Sequence, residues 1–278
     1  MPAATSERWA LLLSGGTALG AVQVPVVEAA WARLGPPAII GGVSVGAVNA
    51  LALADGDVDA LRPVWQDVDG ARWFQRAQLD PWNGMFSLSP LRKQMERRGK
   101  GRRMNIPVVV GVVDIASQRY RTVRLADLDW PDRIGATIAS ATQPGIHERV
   151  KFDGRWHVDG GVEHLLPLLP GWEQYDRIVA VFCSPLRGHR RKPRTQAQVA
   201  QAWEQGGAAL EMLLSRVARD DLRRLRRWSE RVPTVAFAPP SWDSVGSPFD
   251  AEPATIQQRF ATGAAMLAHP VLGQLPPA

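Results

Sequence analysis

The chain has 278 residues, 45% of them apolar and 22% charged, which allows a full hydrophobic core and excludes a wholly disordered protein. Its single cysteine, Cys183, excludes an internal disulfide framework and a multi-thiolate metal site. A formal net charge of +6 favours approach to anionic surfaces without identifying one. At the N-terminus, Glu7 stands beside the only base of the first eight residues, Arg8, and the apolar run Trp9–Leu13 is too short for a signal core. The longest uncharged stretch, Leu34–Ala54, carries Pro36, Pro37 and several glycines and does not suit a spanning helix. A soluble, cytoplasmic protein is expected, with export lacking a classical signal peptide left open.

Trp9–Leu13 reads as a buried strand entering the turn Ser14-Gly15-Gly16. Gly20–Leu34 follows at helical spacing, interrupted by Pro25 and ended by Gly35-Pro36-Pro37. Ile39-Ile40 begins a second strand, Gly42–Gly46 turns, and Ala47–Ala54 is a helix. Ile106–Val113 is a strand buried on both faces, with Arg119–Leu125 as its neighbour. Trp130–Ala141 is a helix capped by Asp129, and Val150–Phe152 and Arg155–Val158 form a hairpin around Asp153-Gly154. A strand at Arg177–Phe182, a long polar helix at Thr195–Arg231, a strand at Thr234–Ala238 and a helix at Ala254–Leu267 complete the chain. Repeated strand–turn–helix units predict an α/β layered fold with a mainly parallel sheet. One domain is expected over residues 8–270, with cap or loop segments near 69–105 and 187–232.

Three motifs carry chemistry. Gly42-Val43-Ser44-Val45-Gly46 fits G-x-S-x-G, in which a sharp strand-to-helix turn presents a serine hydroxyl at a helix N-terminus. The plainer alternative is a glycine-rich turn with Ser44 as a helix cap. Gly15, Gly16, Thr17 and Ala18 follow the first strand and can direct backbone N–H groups into one cavity, as an oxyanion hole requires. An ordinary βα turn is the alternative there. Asp159-Gly160-Gly161 places a carboxylate at a strand end, or makes a simple tight turn.

In this order the three motifs resemble those of the patatin-like phospholipase family, the patatin-like acyl hydrolases. The matching segments are Leu13–Ala21, Gly42–Gly46 followed by Ala47-Val48-Asn49-Ala50, and Asp159-Gly160-Gly161. Ala139–Pro144 and Pro167 add to the likeness, which covers about residues 9–183. The resemblance implies a three-layer α/β/α patatin-like fold and a Ser–Asp dyad, with Ser44 as nucleophile, Asp159 as base and the Gly15–Ala18 amides as oxyanion donors. It implies a lipid or ester substrate and a phospholipase A-type esterase working through an acyl-enzyme, with no metal and no cofactor. A neutral-lipid or short-chain carboxylesterase is the second reading, and a non-catalytic module binding an anionic ligand or membrane surface is the third. Where relatives carry a third glycine and a basic residue in the first loop, this chain has Thr17 and Leu19, which removes a fixed cation. His164 and Leu165 replace an Asn-rich stretch.

Among His147, His157, His164, His189 and His269 no pair has metal-ligand spacing. Each reads as a surface or packing residue, and His269 could complete a Ser–Asp–His triad as a minor alternative. The basic runs Arg92–Arg103 and Arg187–Arg194 suit solvated faces or transient membrane-surface contact, and no nucleic-acid motif accompanies them. Arg216–Arg231 reads as a solvated helix face. Trp73, Trp82 and Phe86 suit either core packing or an acyl pocket. Oligomeric state is not legible.

Overall fold

The structure, a computed structural model, describes residues 7–67, 86–99, 103–186 and 202–277. The expectations placed on Trp73, Trp82, His189 and Arg187–Arg194 lie outside the described residues. Its centre is an eight-stranded sheet. Strands β1 (Trp9–Leu13), β2 (Ile39–Val43) and β3 (Val108–Asp114) pair in parallel, with β2 between the other two. The strand β4 (Arg119–Arg124) runs antiparallel along β3, and β5 (Val150–Phe152) and β6 (Arg155–Asp159) form the hairpin, with β6 also antiparallel to β3. On the other side of β1, β7 (Arg177–Val181) and β8 (Thr234–Phe237) continue the parallel array. Strand pairing follows the path β5-β6-β3-β2-β1-β7-β8, with β4 paired to β3 off this path.

Local sequence accounts for these elements. All seven residues of β3, Val-Val-Val-Gly-Val-Val-Asp, are buried, and β-branched side chains fit such a two-sided environment. Asp153 and Gly154 both take positive φ (51° and 70°), which a two-residue type I′ hairpin requires.

Helices flank the sheet: α1 (Gln23–Leu34), α2 (Val45–Ala52), α3 (Leu61–Gln66), α4 (Ser89–Gly99), α5 (Trp130–Ser140), α6 (Ala202–Trp228), α7 (Trp242–Val245) and α8 (Pro253–Met266). The Pro25 interruption expected in the first helix is absorbed differently. A 3-10 segment over Thr17–Val22 precedes α1, and Pro25 falls in the first turn of α1, where its missing N–H costs no helical bond. The N-cap of α5 is Asp129, whose carboxylate accepts from the Asp132 N–H at 3.0 Å. Trp9, Trp65 and Trp242 are among the largest fully buried side chains.

The solvated face expected for Arg216–Arg231 needs correction at two positions. Asp221 and Arg224 of α6 point inward, 1% and 9% exposed. Asp221 accepts from Arg224 Nη1 at 2.9 Å and from the Leu166 N–H at 2.8 Å, and Arg224 Nη2 donates to the Leu166 carbonyl at 2.9 Å. His164 Nδ1 lies 3.2 Å from the same carboxylate. This ion pair fastens α6 to the segment that follows β6. Among the described residues no helix is long and apolar enough to cross a membrane.

Candidate active site

The two side chains singled out in the sequence meet because two strands end at one point. Both β2 and β6 lie on the edge of β3 that β4 leaves free: Val110 faces Gly42 on one side and Val123 on the other, and Val112 faces Asp159 and Arg121. Strand β2 runs parallel to β3 and ends with Val43 opposite Gly111. Strand β6 runs antiparallel and ends with Asp159 opposite Val112. The two C-terminal ends therefore converge on adjacent register positions, which sets Ser44 beside Asp159.

Ser44 has φ 55° and ψ −127°, a region that L residues rarely occupy. Its neighbours hold it there. The Ser44 N–H donates to Ser140 Oγ at 3.0 Å, and Ser140 Oγ donates to the Gly111 carbonyl at 2.6 Å. A Cβ on Gly42 would stand 2.2 Å from the Gly46 carbonyl oxygen, and one on Gly46 would stand 2.2 Å from that of Leu13, so the tight turn admits only glycine at both positions. Strain of this kind costs on the order of 1–3 kcal/mol. Ser44→Gly is accordingly expected to raise stability by about 1 kcal/mol in chemical denaturation, whereas Ser44→Ala leaves it nearly unchanged. Equal stabilities of the Gly and Ala variants would show that the turn stores no strain.

Asp159 is 3% exposed. Burial pushes its carboxyl up to about 7, opposed by the Ser44 hydroxyl and by the Gly161 N–H, which donates to Oδ1 at 2.7 Å. A Cβ on Gly161 would sit 2.9 Å from Oδ1, and one on Gly160 would sit 2.5 Å from the Gly111 carbonyl oxygen. The Asp159 N–H donates to the Thr142 carbonyl at 2.8 Å, fixing the strand end. A carboxyl with its proton affinity near neutrality, set beside a serine side chain, can accept its proton.

The glycine loop is narrower in its chemistry than expected. The Gly15 N–H donates to the Leu165 carbonyl and the Ala18 N–H to the Pro248 carbonyl, each at 3.0 Å, so neither is available to an oxyanion. Gly16 and Thr17 keep amides with no acceptor among the described residues. Gly16 packs on Cys183, where a Cβ would fall 2.5 Å from the cysteine Cβ. Thr17 Oγ1 lies 2.7 Å from the Pro248 carbonyl oxygen, to which it donates.

Two buried frames support this loop, and neither was identified in the sequence as part of the site. Arg259 of α8, fully buried, donates Nη1 to the Ala18 carbonyl at 2.9 Å and Nε to the Val245 carbonyl at 2.9 Å, and also holds Ser247 and Asp250. Its guanidinium thus stands under the loop in which Leu19 leaves no cation. On the other side, Trp65 Nε1 donates to Asn49 Oδ1, Asn49 Nδ2 to Gln23 Oε1, and Gln23 Nε2 to the Ser14 and Val181 carbonyls. Isolated polar letters inside apolar helices were the only hint of this chain of bonds.

Ser44 opens onto two hollows. The larger, of about 330 Å³, contains Asp159, Gly16 and Gln143 and is walled by apolar residues including Leu165, Leu210, Leu214 and Val217. Its rim residues Val162 and Leu213 are 57% and 60% exposed. The smaller, of about 40 Å³, lies against Thr17, Ala18, Val45, Val48, Leu88, Leu91 and His147. The Nδ1 atom of His147 accepts from the Gln143 N–H at 3.2 Å, and burial pushes the imidazole down to about 4, so it is neutral at physiological pH. His147, read above as a surface or packing residue, lines the smaller hollow with Ser44. His269 is exposed beyond α8 and lines neither hollow. Among the described residues no three His, Cys, Asp or Glu side chains converge as a metal site would require.

Comparison with known proteins agrees with this architecture. VipD from Legionella pneumophila superposes with a TM-score of 0.52 at 10% sequence identity, over 95% of this chain and 66% of the VipD chain. The present chain thus spans a little under two thirds of that protein's length, and at this identity the likeness is one of fold. No curated protein matches in sequence. The sequence model of the family described as patatin-like phospholipase matches residues 11–172, more than half of the chain and the stretch that holds Ser44 and Asp159. The chain belongs to the patatin-like phospholipase family.

Proposed function

We propose that this protein hydrolyses carboxylic esters of lipids with Ser44 as nucleophile and Asp159 as base. Family membership supports lipid acyl hydrolysis in general. The observation that carries the finer reading is Ser44, held in a strained backbone conformation beside a buried carboxyl at the junction of two apolar hollows. Ser44 Oγ attacks the ester carbonyl carbon as its proton passes to Asp159. The Gly16 and Thr17 amides stabilise the oxyanion, one such donor being worth about 3 kcal/mol of barrier. The tetrahedral species collapses by breaking the C–O bond to the alcohol, which leaves with the proton from Asp159. Water then attacks the acyl carbon and gives a proton to Asp159, and Ser44 recovers it as the fatty acid departs.

A fluorophosphonate probe tests the reading directly. Covalent labelling of the native protein is expected, with loss of both labelling and ester turnover in the folded Ser44→Ala variant. Labelling that survives Ser44→Ala would refute the assignment.

A further inference from the structure

The two hollows at Ser44 are chemically unequal. A departing alkoxide must take its proton from Asp159, so its oxygen has to lie within about 3 Å of that carboxyl. Asp159 lines only the larger hollow. Gln143 also lines that hollow, whose walls are otherwise mainly apolar. The oxyanion faces Gly16 and Thr17. The remaining substituent of the carbonyl carbon, the acyl chain, is then directed to the other side of Ser44.

A groove runs away from Ser44 on that side. Its first part is the small hollow described above. A second hollow abuts it, because Val48 and Leu91 line both. It continues past Leu51, Ala52, Val64 and Met95 to Trp130. The walls are one face of α2, with Val45, Val48 and Ala52 at helical spacing, and one face of α4 with the turn before it, where Leu88, Leu91 and Met95 recur in the same way. The far end turns polar at Gln94 and at Arg98, which pairs with Asp67 at 2.5 Å. Trp130 lies so close to Gly99 that any Cβ there would fall 1.5 Å from its ring. Val45 to Ala52 spans about 10 Å of helix. At C–C bonds of about 1.5 Å, an extended chain covers that distance in about eight carbons. Each hollow is narrow, about 40 Å³, against about 330 Å³ on the Asp159 side.

We propose that the α2–α4 groove is the acyl-chain site, shaped for one unbranched chain of about eight carbons, and that the larger hollow receives the departing, largely apolar alcohol. The proposal rests on the Ser44–Asp159 reading for its orientation, but the groove can be tested without turnover.

In the inactive Ser44→Ala protein, calorimetric titration is expected to show octanoate binding more tightly than butanoate, by about fourfold per added methylene. Leu91→Trp in that background should abolish the gain, and Leu91→Phe, a smaller change, should reduce it. With Ser44 intact, kcat/KM for p-nitrophenyl esters should climb to about eight acyl carbons and then level off. Leu91→Trp should move the optimum to shorter acyl groups. Val217→Trp, in the larger hollow, should change the preference among alcohols at fixed acyl length and leave the acyl profile in place. Octanoate binding that ignores both Leu91 variants overturns the groove. Acyl-length selectivity that responds to Val217→Trp and ignores Leu91→Trp reverses the orientation and overturns the proposal. Length-dependent binding in a protein with no Ser44-dependent turnover refutes the proposed function and leaves the groove standing as a chain site.

Discussion

Replacing Asp159 by Asn is expected to cut turnover by about 10²–10⁴-fold, the usual contribution of a positioned general base, and at the same time to stabilise the protein above neutral pH. Both effects come from burial. The carboxyl is pushed from its ordinary 3.8 up to about 7. Between those values the folded state holds a proton that the unfolded state releases. The group's stabilising contribution is therefore whole below about pH 4 and is lost as pH rises through about 7. Above pH 7 the ionised, buried carboxylate costs on the order of 4 kcal/mol. Asparagine keeps the bond from the Gly161 N–H and carries no charge, so it removes that cost. Denaturant unfolding of both proteins at pH 5 and pH 8 should show the wild type losing stability relative to the variant at the higher value. Parallel pH dependences would contradict the shift. The same ionisation should make wild-type turnover rise through about pH 7, and His147, pushed down to about 4, titrates too low to account for that rise.

Asp221→Ala is expected to destabilise the fold by about 3–5 kcal/mol, because it leaves the guanidinium of Arg224 buried without its carboxylate. The damage should extend to chemistry. Asp221 also holds the Leu166 N–H, and the adjacent Leu165 carbonyl receives the Gly15 N–H of the glycine loop. Asp220→Ala, one residue away on the exposed face, should stay within about 0.5 kcal/mol. Replacing Asp221 and Arg224 together by leucine should recover much of the loss, since an apolar pair of similar bulk strands no charge. Equal effects of the Asp220 and Asp221 substitutions in thermal or chemical melts would refute this account.

Much of the fold was readable because its strands are short, apolar and bounded by glycine or by charged turns. The Val-rich β3 and the Asp153-Gly154 hairpin need no tertiary information. The candidate nucleophile and base were legible for a related reason, since each sits in a turn whose close backbone contacts demand glycines that mark the sequence. What stayed hidden depends on contacts between distant segments. The commitment of the Gly15 and Ala18 amides to Leu165 and Pro248 cannot be seen from the loop itself. Arg259 looked like any helical arginine, yet its four acceptors come from two segments, Ala18 and Val245–Asp250, brought together by folding. The alternation of charges in α6 suggested a solvated face, and only the packing of Leu166 against it selects Asp221 and Arg224 for burial.

Strand β3 serves as a common ruler for the Ser44 hydroxyl and the Asp159 carboxyl. Because Val43 and Asp159 are read off against neighbouring marks on it, their spacing is insulated from the long stretches of chain between them. A change of length in the loops between them need not alter that spacing. A single residue inserted between Gly111 and Val112 would instead pull the pair apart by one strand step, about 3.3 Å.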